Sequence, residues 1–203
     1  MIRIIDYGLG NIQAFLNTYK RLGIPAERVT DPAALAGASH VILPGVGAFD
    51  RAMSLFDQSG FRAPVERMIA ETDLRILGIC VGMQMLAEDS DEGQLPGLGW
   101  IPGRVRQIDR LEKAKDLPMP HMGWNDVTAR ADVVLFDGLD DLRYYFLHSY
   151  YFECHDDRNV LATVEYGDRF SCAVSNGHVY GVQFHPEKSH HWGQALLRNF
   201  ART

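Results

Sequence analysis

Between Ile2 and Asp89, short apolar runs alternate with amphipathic ones, and this alternation restricts the fold more than any other feature of the 203-residue chain. "IRII", "AERVT", "HVILPGVG" and "RILGIC" read as strands. Between them, "NIQAFLNTYKRLG" places Ile12, Phe15, Leu16, Tyr19 and Leu22 at helical spacing, with Gly23 as a stop. "DPAALAG" reads as a short helix capped by Asp31 with Pro32 at its first position. "AFDRAMSLFDQSG", "RAPVERMIAET" and "VGMQMLAED" read as three more helices. Strands fed by helices in this way imply an α/β fold whose central, mostly parallel sheet is covered on both faces.

From Gly99 onward the pattern changes. "GWIPGRVRQI", "HMGWNDVTA", "RYYFLHSYYFE", "NVLATVEY" and "FSCAVSNGHVYGVQF" are β-branched or aromatic runs, and "SNGH" is a hairpin turn signal. They predict an added antiparallel β region. "GQALLRNFA" closes the chain as a helix with Leu196, Leu197 and Phe200 inward. The most loop-like stretch is "RLEKAKDLPMP", and no linker or repeat divides the sequence, so residues 1–203 are expected to form one domain. A hydrophobic share of 46% is enough for a full core, and a net charge of -6 disfavours a nucleic-acid or anionic-membrane surface. No apolar run approaches the roughly 18 residues of a membrane span, and the N-terminus reads as a strand, not a signal peptide. Cys80, Cys154 and Cys172 are odd in number and widely spaced, which suits a reducing cytoplasm and offers neither a disulfide framework nor a zinc site.

Gly78-Ile79-Cys80-Val81-Gly82 has the form glycine, any residue, nucleophile, any residue, glycine, set between a strand and a helix. So tight a turn strains the middle residue and leaves no room for side chains two positions away. It also puts the sulfur at a helix N-terminus, where free N–H groups and the dipole favour a thiolate. A small buried thiol is the competing reading. A nucleophile needs a base and the base an orienting group. Among the eight histidines, His185 in "GVQFHPEKS" ends an apolar strand, and Glu187 projects to the same side two residues on; a surface His-Pro turn with a solvated glutamate would look the same. "LPGVGAF" leaves a parallel strand at its C-terminal end, where main-chain N–H groups can join that of Val81 in an oxyanion hole, or merely form a structural turn. His185, His190 and His191 lie close in sequence, but their spacing fits no common metal site, and no metal is expected.

"GICVGMQ", "LPGVG" and "GVQFHPEKS" together resemble the three signatures of the class I, triad-type glutamine amidotransferases. "IIDYGLGN", "PHMGWN" and "YFLHSYY" are similar to the branch that serves imidazole glycerol phosphate synthase. The similarity spans the chain. It implies a class I glutamine amidotransferase-like fold, L-glutamine as substrate and no cofactor. It gives Cys80 the attack on the glutamine side-chain amide, His185 the proton relay and Glu187 the orientation of His185. Val81 and the Val46-Gly47 turn would supply oxyanion donors, and Gln84, Glu92 and the main chain of His148, Ser149 and Tyr150 would hold glutamine. The partner implied is a (βα)8-barrel synthase of the HisF type, with Asn11, Met122, Trp124, Asn125 and Lys188 near it. Val81 stands where the usual motif has leucine. That departure, with "KSHHWG" and neighbouring strings, also resembles paralogues that supply ammonia for sugar amidination in surface-polysaccharide synthesis. The acceptor therefore stays open between the two pathways. A hydrolase acting on another amide and a catalytically silent regulatory subunit are the further alternatives.

Overall fold

The alternation in the first half becomes one parallel ladder. In the computed structural model, which describes residues 1–203, β1 (Ile2–Ile5), β2 (Ala26–Val29), β3 (His40–Gly45) and β4 (Arg75–Cys80) run parallel in the order β2-β1-β3-β4. α1 (Ile12–Leu22), α2 (Phe49–Gln58) and α3 (Arg62–Glu71) connect them. Asn11 caps α1 by accepting from the Ala14 amide, and Gly23 ends it at φ 68°. Asp31 caps a single 3-10 turn, Pro32–Leu35. Every residue of β3 is buried, as a strand covered on both faces requires.

The chain departs from expectation after Cys80. Helical spacing continued to Asp89, yet α4 is one turn, Val81–Gln84. The segment 98–101 ends it: Leu98 N–H donates to Met85 O (2.8 Å), Gly99 N–H to Ala87 O (2.9 Å) and Ile101 N–H to Leu86 O (3.0 Å). Tertiary partners thus satisfy the carbonyls that a longer helix would have used internally. Residues 81–87 are all buried.

The second half is antiparallel apart from one short pair and the strand that rejoins β4. β5 (Asp89–Ser90) runs parallel to β6 (Gly103–Gln107), and β6 pairs with β9 (Tyr150–Cys154). β7 (His121–Ala129), β8 (Arg143–His148), β10 (Val160–Tyr166) and β11 (Asp168–Asn176) extend the sheet. β12 (Val179–Val182) turns back from β11 through Gly177 at φ 59° and lies parallel to β4, so the main path reads β2-β1-β3-β4-β12-β11-β10-β7-β8. β12 is the seam between a five-stranded parallel half and the antiparallel half. α5 (His190–Phe200) starts earlier than its sequence suggested, packs on α1 through the Tyr19 hydroxyl (3.3 Å to Leu197 O), and buries Leu196, Leu197 and Phe200 fully.

Candidate active site

Cys80 ends β4 and begins α4 at φ 57° and ψ -115°, a backbone conformation that side chains strongly disfavour. The two glycines around it are required by close main-chain approach. A Cβ on Gly78 would stand 2.6 Å from Gly82 O, and one on Gly82 would stand 2.0 Å from Leu43 O on β3. A Cβ on Gly45 would meet the Gly82 nitrogen at 2.4 Å. The turn is therefore clamped between two neighbouring strand ends. Because α4 is so short, its dipole is a fraction of what the expected longer helix would supply.

His185 follows β12, the strand next to β4. Its Nδ1 lies 2.9 Å from Glu187 Oε1, and both side chains are buried. Its main chain is clamped on both sides: His185 N–H donates to Tyr145 O (2.9 Å), while Ser189 Oγ donates to His185 O (2.6 Å) and accepts from Tyr145 N–H (3.0 Å). Burial alone would lower the His185 pKa. The hydrogen bonds and charges of Cys80 and Glu187 outweigh it and push the value up to about 10. His185 thus carries a proton at neutral pH, between a sulfur and a carboxylate.

A cavity of about 320 Å³ opens over the sulfur. Its lining holds Cys80, His185 and all eight residues expected around the oxyanion and substrate: Val46, Gly47, Val81, Gln84, Glu92, His148, Ser149 and Tyr150. Glu187 stands behind His185. Gln84 is buried and its Oε1 has no partner. Glu92 Oε2 accepts from the Phe49 amide at the start of α2 (2.9 Å); burial raises its pKa, that bond opposes the rise, and Asp50 adds to it. The Ser149 and Tyr150 carbonyls are already taken, by Ile108 N–H (2.9 Å) and by His148 Nδ1 (2.7 Å).

The residues expected near a partner divide. Met122 (65% exposed) and Trp124 (37%) face outward from β7, and Trp124 stacks on His190 with ring centroids 5.2 Å apart. Lys188 lines the cavity, with Nζ 5.6 Å from the centre of the Tyr145 ring. Asn11 is exposed while its side chain caps α1. Asn125 is half-buried and turned to Glu165 O and His121. Pro120 and Leu147 also line the cavity without having been singled out. Sequence reasoning missed Gln183 and Ser189 too. A glutamine inside the apolar run "VYGVQF" was the available signal for Gln183, and Ser189 had none.

The family model for glutamine amidotransferase class-I matches residues 3–203. The imidazole glycerol phosphate synthase subunit HisH of Bdellovibrio bacteriovorus is 56% identical over 99% of both chains. That of Leptospira borgpetersenii is 46% identical over the same share. Among solved structures, a glutamine amidotransferase superimposes with a TM-score of 0.77 at 24% identity, covering 100% of this chain and 98% of its own, which speaks for the fold. Elbow, clamp and whole-length similarity agree: the chain belongs to the class I glutamine amidotransferases, in the branch of the imidazole glycerol phosphate synthase HisH subunits.

Proposed function

We propose that this chain is the glutaminase subunit of an imidazole glycerol phosphate synthase, and that residues 1–203 act as one glutamine amidotransferase domain. The observation that carries the reading is the junction of Cys80 and His185 in the lining of one small cavity, with Glu187 bonded to His185 behind it. The sulfur attacks the side-chain amide carbon of L-glutamine, and the Val81 N–H with a main-chain donor of Val46-Gly47 faces the developing oxyanion. His185 gives its proton to the leaving nitrogen, so ammonia departs and a glutamyl thioester remains. Water, deprotonated by the now neutral His185, then cleaves the thioester to glutamate, with the thiolate as leaving group, and the sulfur again faces a protonated His185. Glu187 fixes the ring throughout. Gln84 Oε1, buried and unpartnered, is the acceptor for a substrate N–H donor.

The ammonia passes to a HisF-type (βα)8-barrel subunit and on to histidine biosynthesis, a destination supported by the names of the relatives at 56% and 46% identity. The partner docks over Met122 and Trp124, with Asn11, Asn125 and Lys188 close by. An exposed apolar patch beside the cavity supports this placement. Three free cysteines suit the cytoplasm. With the synthase partner present, Cys80→Ala is expected to end glutamate release while the two subunits still associate; full turnover in that variant would sink the reading.

A further inference from the structure

His148 Nδ1 lies 2.7 Å from the Tyr150 carbonyl. A carbonyl only accepts, so Nδ1 carries the ring proton. Nε2 then holds a lone pair and faces His121 Nδ1 at 2.8 Å, which must donate. His121 Nε2 in turn accepts from Asn125 Nδ2 at 3.1 Å. The Asn125 amide is oriented independently, because Nδ2 also donates to Glu165 O (2.9 Å) and Oδ1 accepts from Asp126 N–H (2.8 Å). Beyond Tyr150 the series continues. Gln84 Nε2 donates to the same carbonyl (3.4 Å) and to Gln183 Oε1 (3.1 Å), and Gln183 Nε2 faces the Cys80 sulfur at 3.8 Å. His121, His148, Gln84 and Gln183 are all buried.

We propose that His121 and Gln183 are positioning residues for the thiol chemistry: with His148 and Gln84 they form one hydrogen-bonded chain in two runs, Asn125 through His121 and His148 to the Tyr150 carbonyl, and Gln84 to that same carbonyl and through Gln183 to the Cys80 sulfur, which holds Tyr150, Gln84 and the nucleophile in the arrangement that receives substrate. The inference rests on the glutaminase reading above. Each N–H named along the chain has one acceptor, and a buried group deprived of its partner costs more than the bond contributes. The surroundings keep both rings neutral. Burial lowers His121 to about 4. Burial lowers His148 to about 3, with His121 and His185 adding to the drop and the Tyr150 bond opposing it. His121 is packed between Phe146 and Tyr166, beside Phe170 and His148; the Tyr166 hydroxyl is spent on Pro118 O. His148 faces Phe146, Phe170, His121 and, through its charge, His185. A second proton on either ring would set donor against donor.

Two measurements on the full chain test this. Isotope-labelled imidazole NMR of the wild type at neutral pH is expected to find His121 and His148 neutral, each protonated on Nδ1. A charged ring, or a proton on Nε2 of either, overturns the chain. The second measurement is the ratio of two Cys80 alkylation rates, with and without the proposed synthase subunit: a chloroketone analogue of glutamine, which needs the pocket, against iodoacetamide, which does not. His121→Phe keeps the aromatic stack and loses both nitrogens; it is expected to lower the ratio about tenfold. His121→Gln offers His148 a donor and Asn125 an acceptor, and should stay within about threefold of wild type. Gln183→Met should lower the ratio as His121→Phe does. An unchanged ratio in His121→Phe or Gln183→Met, or an equal fall in His121→Gln, overturns the proposal while the glutaminase reading stands. Wild-type protein alkylated by iodoacetamide but by the analogue in neither state would overturn that reading and this proposal with it. Should His121→Phe not fold, the NMR result and Gln183→Met decide.

Discussion

The two halves of the sheet build the site by different means. The parallel half fixes its contribution through main chain: a strained cysteine and glycines whose Cβ positions fall within 2.0–2.6 Å of backbone atoms. The antiparallel half works through side chains. β7 buries His121 against His148, which lines the cavity, leaves Met122 and Trp124 exposed, and turns Asn125 inward to His121, so that one strand backs the cavity wall and presents an outer surface at once. The geometry of Cys80 thus depends on what is absent at Gly78 and Gly82, while the walls depend on which hydrogen bond each polar group makes.

The largest test of that contrast is chemical. Cys80→Ser keeps the elbow and nearly its shape, and is expected to lower glutamate release by at least about a thousandfold, measured with the synthase partner; a milder loss would mean the walls carry more of the chemistry than the elbow. Next comes the same substitution made in each half. Gly82→Ala drives a methyl into Leu43 O and should cost about 3 kcal/mol. Gly138→Ala meets no atom and pays only for its φ of 67°, about 1 kcal/mol. Urea unfolding of both variants gives the comparison, and equal losses would break it. On the outer surface, Trp124→Ala should weaken association with the synthase subunit about thirtyfold by calorimetry. The smallest expected effect concerns pH. His185 sits at about 10, above its usual value of 6.5, so its contribution to stability is complete below about pH 6.5 and is lost as pH rises through about 10. Glu187→Gln removes one support for that rise, and the alkaline fall in melting temperature should begin at lower pH than in wild type.

Much of the parallel half was legible in the sequence, because periodicity and glycine spacing are local signals. Helix α1, its Asn11–Gly23 limits and the cysteine elbow all follow from residues close in the chain. The length of α4 was not legible, since the groups that end it arrive from residues 98–101. His185 and Glu187 could be paired from their spacing, but the clamp by Ser189 and Tyr145 joins α5 to β8, and no local pattern announces it. His121 and Asn125 share a strand face by their spacing of four; that they meet His148 follows only from the β7–β8 register, His121 opposite His148.

The seam strand has one further consequence. β4 and β12 are adjacent rungs of a single ladder, with Ile79 opposite Val182, and Cys80 and His185 leave that ladder from neighbouring ends. No hinge separates them. A shift elsewhere in the molecule therefore has little leverage over the distance between sulfur and imidazole. Freedom is left to the rim of the cavity, where Val46 on one side and Leu147 of β8 on the other stand exposed.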